Sequence, residues 1–109
     1  MKYCCLNNQR TGSCYFEFQI GKFRGQNWRD DSLCLHEETF DRLNLYQVFA
    51  EAIPEFNYFG ITEIDREKWG QIILTAHRIG DEVEEVIDEI DSWASSILPA
   101  TGIMTLIGI

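Results

Sequence analysis

The chain of 109 residues is 45% apolar and 13% aromatic, and its 18 acidic and 9 basic side chains give a formal charge of -9 at pH 7. This length indicates one domain over residues 1–109, and the apolar content excludes intrinsic disorder and any need for metal or disulfide staples. The negative charge repels phosphates and anionic lipids, so direct binding to nucleic acid or to a membrane is not expected. No apolar run has the length of a membrane span and the N-terminus lacks a signal-peptide pattern, so we expect a cytoplasmic protein.

The first third of the chain predicts a small antiparallel sheet. Residues 2–6 are a short apolar run, residues 7–13 are turn formers expected to make a hairpin loop, and residues 33–36 read as a third strand. Residues 14–20 alternate between two sets of side chains. This period of two predicts that one set is buried on a single face of the sheet, namely Cys14, Phe16, Phe18 and Ile20.

The rest of the chain predicts helices, which gives an α+β fold with the small N-terminal sheet packed against about three helices. Apolar residues at steps of three and four indicate helices over residues 38–52, 65–79 and 81–98. Their buried faces are expected to include Trp69, Ile72, Ile73, Ala76, Val83, Val86, Ile87 and Ile90. Gly80 predicts a break or kink between the last two helices. Residues 55–64 are expected to form a turn or short strand, and residues 103–109 either an edge strand or a tail docked on the core.

Acidic residues are concentrated late in the chain. Residues 1–36 carry five basic and three acidic side chains, whereas residues 37–109 carry four basic and fifteen acidic ones. Seven acids fall within eleven residues with no basic residue among them: Asp81, Glu82, Glu84, Glu85, Asp88, Glu89 and Asp91. Like charges three and four residues apart lower helix stability by a few tenths of a kcal/mol each. The pattern is typical either of a solvated outer face or of an electrostatic docking surface for a basic protein.

The cysteines do not predict a metal site. Zinc ligands are usually paired at a separation of two to four residues, but Cys4 and Cys5 are adjacent and would point to opposite faces of a strand. The other candidate ligands are Cys14, Cys34 and His36. In a reducing compartment we expect free thiols and no bound metal, and the acids of residues 81–91 lack the central glycine of a calcium loop.

The sequence offers few candidates for catalysis. His36 and His77 are the only histidines, and neither belongs to a recognisable nucleophile motif. Cys34 and His36 share a strand face by parity, which keeps a small thiol-dependent enzyme as an alternative. The glycine-rich motifs that bind phosphates or dinucleotides are absent, and no cofactor is expected.

Two aromatic residues lie among polar neighbours in the segment before the third strand. Trp28 sits in a polar stretch without periodicity, so it is either a core residue or an exposed anchor for a partner. Phe23, between Lys22 and Arg24, is expected to pack in the core. The sequence indicates no oligomeric state.

The chain resembles bacterial immunity proteins of contact-dependent growth inhibition and other polymorphic toxin systems in being small, acidic, single-domain and poor in motifs. The segment FNYFGITEIDREKW at residues 56–69 is also similar to segments of short bacterial proteins in which an aromatic turn precedes a helix with a buried Trp. The resemblance implies an antitoxin-like inhibitor that binds a cognate toxin domain, often a nuclease, and blocks its active site. The acids listed above and Trp28 are the residues expected at that interface. A mimic that displaces DNA from a basic regulatory protein is a second hypothesis.

Overall fold

The structure is a computed structural model that describes residues 1–109 and confirms the α+β class. Its strands are β1 (Cys4–Leu6), β2 (Tyr15–Ile20), β3 (Leu33–His36), β4 (Ile61–Asp65) and β5 (Ile103–Ile107). Its helices are α1 (Glu37–Arg42), α2 (Leu45–Ala52), α3 (Arg66–Ile79), α4 (Asp81–Ala94) and α5 (Leu98–Thr101), and a single 3-10 turn occupies Asn7–Gln9. No helix has the length and apolar character needed to cross a membrane.

The sheet is antiparallel throughout, with strand order β1-β3-β2-β5-β4. Two expectations about it are wrong. Residues 7–13 are not a hairpin loop, because β1 pairs with β3 and not with β2. The C-terminal strand is not at an edge but lies between β2 and β4, so the sheet extends well beyond residues 1–36. Pairing on both sides satisfies the backbone of this apolar strand, which an edge position would leave open.

The core lies between the helices and one face of the sheet. The face that carries Phe16 and Phe18 packs against α1 and α2, where Phe16 stacks on Phe40 with 3.9 Å between ring centroids. The predicted helix faces are buried as expected, except that Ile73 is only partly covered. Of the alternating set in residues 14–20, Phe16 and Phe18 are fully buried. Cys14 is exposed, because it precedes the strand in a left-handed conformation with φ 73°.

Two of the three predicted helices are shorter than expected. The helix expected at residues 38–52 is broken at Asn44, which adopts φ 53°, a left-handed conformation that Asn tolerates better than most residues. The helix expected at residues 81–98 ends at Ala94. Beyond it the hydroxyls of Ser95 and Ser96 donate to carbonyls three residues back, which competes with helix continuation. The break at Gly80 is confirmed, with φ 76° there.

The second face of the sheet is also covered, over β2 and β3. Glu17 and Gln19 point to this face, opposite Phe16 and Phe18, and both are buried. Residues 21–32 form a loop that folds over them, and we call it the covering loop. Because it lies on the face away from the helices, Phe23 is only half-buried and stays outside the core, contrary to expectation.

Candidate functional site

The seven acids of α4 fall into three rows along the helix. A repeat of 3.6 residues places Glu84 and Asp91 on the flank toward α3, and Glu82 and Glu89 on the flank toward the N-terminus. All four are half-buried. The third row, at the top of the helix, is exposed, and we call it the acidic crest: Asp81, Glu85 and Asp88.

The flank toward α3 is occupied by internal contacts. Asp91 accepts a hydrogen bond of 2.8 Å from the indole N–H of Trp69, which lies in the core. Glu84 contacts Nδ1 of His77, and this hydrogen bond is the main cause that raises the pKa of His77. These two acids therefore join α4 to α3 and are not free to bind a partner.

The flank toward the N-terminus holds the start of β1. The Glu89 carboxylate accepts hydrogen bonds from the backbone N–H groups of Lys2, Tyr3 and Cys4, the shortest being 2.8 Å. Glu82 forms a two-pronged ion pair with Arg42, with both N–O distances at 3.2 Å. The hydrogen bonds from Arg42 are the main cause that lowers the pKa of Glu82. Glu82 and Glu89 are therefore occupied by contacts within the protein.

The acidic crest is the part of α4 left to solvent. The side chains of Asp81 and Asp88 make no hydrogen bond or ion pair within the protein. Glu85 accepts a hydrogen bond of 2.8 Å from the Tyr3 hydroxyl and lies 3.6 Å from Nζ of Lys2. The crest is thus a row of three carboxylates with one basic neighbour. Of the seven predicted interface acids, it contains the three that a partner can reach most directly.

Trp28 lies apart from the crest, in the covering loop on the other face of the sheet. The residue is 36% exposed, and the Arg10 guanidinium lies 3.8 Å from the centre of its ring. The residue has φ 58°, a conformation that is unusual for a bulky side chain. Its N–H donates to Glu17 at 2.9 Å and its C=O accepts from Asn7 at 3.0 Å. The structure therefore shows an exposed, rigidly held Trp that does not join the acidic crest.

The carboxylate that accepts from the largest number of donors, Glu17, was not identified as important from the sequence. Glu17, 1% exposed, accepts hydrogen bonds from Trp28 N–H, Arg29 N–H, the Ser32 hydroxyl and the Gln19 amide, at 2.6–3.0 Å. These donors fix the covering loop onto the sheet. The strand alternation showed that Glu17 faces away from the core. No local pattern indicated that a loop covers that face.

The cysteines and histidines have structural surroundings. All four cysteines are free thiols, and burial is the main cause that raises the pKa of Cys34 to about 12 and also raises the pKa values of Cys4 and Cys5. Such thiols carry little thiolate at neutral pH and are weak nucleophiles. His36 Nδ1 accepts the N–H of Glu38 at 3.0 Å and so caps α1. No group of three or more His, Cys, Asp or Glu side chains has the arrangement of a metal site.

Comparison with protein-family models, curated proteins and solved structures finds no match for this chain. Its function must therefore be inferred from its surface, where the acidic crest and the Trp28 loop are the two candidate regions.

Proposed function

We propose that this protein is an immunity protein that binds a cognate basic toxin domain, such as a nuclease, and neutralises it by stoichiometric contact. The observation that supports this most directly is the acidic crest, formed by Asp81, Glu85 and Asp88. The flanking acids of α4 have partners inside the protein, whereas two of the three crest carboxylates have none.

The crest has the electrostatics expected of a surface that competes for a nucleic-acid site. A nuclease needs a basic surface to hold phosphates, and a row of carboxylates can occupy that surface in their place. The charge of -9 extends this attraction over a distance and speeds encounter with a basic partner. The negative charge of the chain also repels nucleic acid. It therefore favours binding to a basic nuclease over binding to the nucleic acid on which that nuclease acts.

The crest is also held rigidly, which lowers the cost of binding. The flank contacts to α3 and to β1 fix α4 along both sides, so little backbone order remains to be gained in a complex. Aspartate side chains at positions 81 and 88 lose less rotamer freedom than lysine or glutamate would. Like-charge repulsion within the crest, a few tenths of a kcal/mol per pair, is relieved when a basic surface docks.

The partner is best identified by affinity capture of the tagged protein from its native host. We expect to recover a basic toxin domain whose gene lies next to the gene for this protein. The same row of carboxylates would serve a mimic that displaces DNA from a regulatory protein. Recovery of a basic regulator without toxic activity would favour that second function over immunity.

The role of the crest is tested by charge reversal with a matched control. We expect the variant Asp81→Lys, Glu85→Lys, Asp88→Lys to bind the captured toxin about ten to a hundred times more slowly at low salt, with the difference shrinking as salt rises. Its melting temperature should change little, since the removal of repulsion within α4 offsets the loss of the Glu85 contacts with Tyr3 and Lys2. It should also protect cells poorly.

The control reverses three exposed acids outside both candidate regions and changes the net charge equally: Glu38→Lys, Glu51→Lys and Glu67→Lys. A docking role requires the crest variant to be impaired much more than this control. Equal association rates for the two variants at every salt concentration would show that only total charge matters and would reject the crest as the interface.

A further inference from the structure

The strand order leaves two edges of the sheet unpaired, β1 and β4. Each edge strand bonds to its single neighbour through alternate residues, and the peptide groups of the intervening residues point away from the sheet. Such outward groups can pair with an added strand unless something covers them. The two edges differ in this respect.

At the β1 edge the outward N–H groups have partners. Within β1 they belong to Cys4 and Leu6. Cys4 donates to Glu89 at 2.8 Å, as do Lys2 and Tyr3 just before the strand at 2.8 and 3.0 Å, and Leu6 donates to the side-chain oxygen of Gln9 at 3.0 Å. Side-chain oxygens thus take the place of a neighbouring strand, and this edge is closed to one.

At the β4 edge the outward groups are open. Gly108 N–H donates to the Gly60 carbonyl at 2.7 Å, and the two residues continue the register of β4 and β5. Because backbone groups alternate in direction along a strand, those of Gly60, Thr62 and Ile64 point toward β5. The N–H groups of Ile61 and Glu63 point outward, where no side chain or loop accepts them.

Exposed apolar side chains lie beside this open edge. Ile61 is 48% exposed and faces the side of the sheet away from the helices, next to its cross-strand partner Ile107. Phe59, in the turn before β4, is 76% exposed, and Ile109, just after β5, is 39% exposed. The covering loop is fixed over Glu17 on β2 and leaves these residues uncovered.

We propose that β4 is a docking edge for an extended protein segment with alternating basic and apolar side chains. The unpaired peptide groups would supply main-chain hydrogen bonds, and Ile61 and Phe59 would contact the apolar side chains of the segment. Glu63 and Asp65 are exposed on the same side of the strand and favour basic side chains beside them. A second copy of the chain would bring its own acids and its charge of -9 to this edge, which disfavours self-pairing. The site lies at the opposite edge from α4 and does not depend on the acidic crest.

The test is a titration of the labelled full chain, followed by amide NMR, with an acetylated and amidated peptide of about eight residues in which Lys and Val alternate. We expect shifts concentrated at residues 59–65 and 107–109, and slower hydrogen exchange of the Ile61 and Glu63 amides. A peptide with the same residues in two blocks should bind more weakly. Shifts spread over α4, or unchanged exchange at Ile61 and Glu63, would overturn the proposal.

Two variants separate backbone pairing from charge. Glu63→Pro removes one outward N–H without removing a bond to β5, and edge strands tolerate proline. We expect it to weaken peptide binding about tenfold or more, the effect of one or two lost hydrogen bonds, while Glu63→Gln weakens it less. The crest variant Asp81→Asn, Glu85→Gln, Asp88→Asn should bind within about threefold of the parent protein, because only long-range charge is altered.

Equal weakening by Glu63→Pro and Glu63→Gln would show that charge alone holds the peptide and would reject strand addition. If the proline variant fails to fold, exchange protection in the parent protein decides the question. A dimer through β4, detected by sedimentation without peptide, would replace the proposed segment with a second copy.

Discussion

The two edge strands of the sheet, β1 and β4, differ in whether their outward N–H groups have acceptors. Side-chain oxygens of Glu89 and Gln9 close the β1 edge, whereas the β4 edge keeps its outward N–H groups free beside exposed Ile61 and Phe59. Unpaired edges favour aggregation, and proteins normally protect them. The comparison shows that part of the acidic charge on α4 protects an edge. Only the acidic crest remains to be explained by a partner.

The same contrast holds for the sheet face away from the helices. Over β2 and β3 the covering loop is fixed to Glu17, whereas near β4 Ile61 is open to solvent. This face of the sheet is therefore covered over β2 and β3 by a loop that buried polar contacts hold in place. It is uncovered near β4, where we propose strand docking.

The largest effect is expected from removing the buried carboxylate that fixes the covering loop. Glu17→Ala leaves two part-buried N–H groups and the buried Ser32 hydroxyl without their acceptor, and we expect a loss of roughly 3 kcal/mol in the free energy of unfolding. Urea unfolding measures the loss. Trypsin should also cleave the variant faster after Arg24 and Arg29, since the released loop becomes accessible.

The control for this prediction is Glu63→Ala, because Glu63 faces the same side of the sheet at the open edge and is exposed. It should change stability by no more than about 0.5 kcal/mol. Similar losses in the two variants, or an unchanged cleavage rate in Glu17→Ala, would show that the loop is not held by Glu17.

The periodicity of the sequence was sufficient to predict the class of the fold and most of the core. A period of two located Phe16 and Phe18, and steps of three and four located Ile72 and Ile87. Strand pairing could not be predicted in the same way. That β5 inserts between β2 and β4 depends on pairings between residues far apart in the chain, such as Phe18 with Leu106 and Thr62 with Leu106.

The acids of α4 could be predicted as a group, but the partners of the individual carboxylates could not. The number of carboxylates is visible in the sequence, whereas their partners come from distant segments. Arg42 and the N–H of Cys4 reach Glu82 and Glu89 only after the chain folds. The helical repeat separates the crest from the flanks once the buried side of α4 is known, and that step was available from Val83, Val86 and Ile90.

A smaller effect is expected from opening the closed edge. Glu89→Ala removes the acceptor of three backbone N–H groups, and we expect a loss of about 1–2 kcal/mol, because water can replace part of these bonds at a half-exposed site. Hydrogen exchange of the Lys2, Tyr3 and Cys4 amides should become faster. Unfolding curves and exchange rates measure the two effects.

Asp88→Ala is the matched control for Glu89→Ala, since it removes the same charge from the neighbouring position on the crest. We expect it to leave the amides of residues 2–4 unchanged and to alter stability by no more than about 0.5 kcal/mol. If both variants lose equal stability, the division of α4 into structural flanks and a free crest is wrong.

The smallest effect is expected on the other flank of α4, where Glu84 contacts His77. The hydrogen bond raises the pKa of His77 in the folded protein, so its contribution to stability is complete below the pKa of the unfolded histidine and is lost as pH rises through the folded pKa. Between about pH 5 and about pH 9 we expect the difference in urea midpoint between the parent and Glu84→Gln to shrink toward zero. Glu51→Gln is the control, since Glu51 pairs with the guanidinium of Arg78 and not with a histidine, and its midpoint difference should be constant. A pH-independent difference for Glu84→Gln would show that the charge of His77 does not hold this flank.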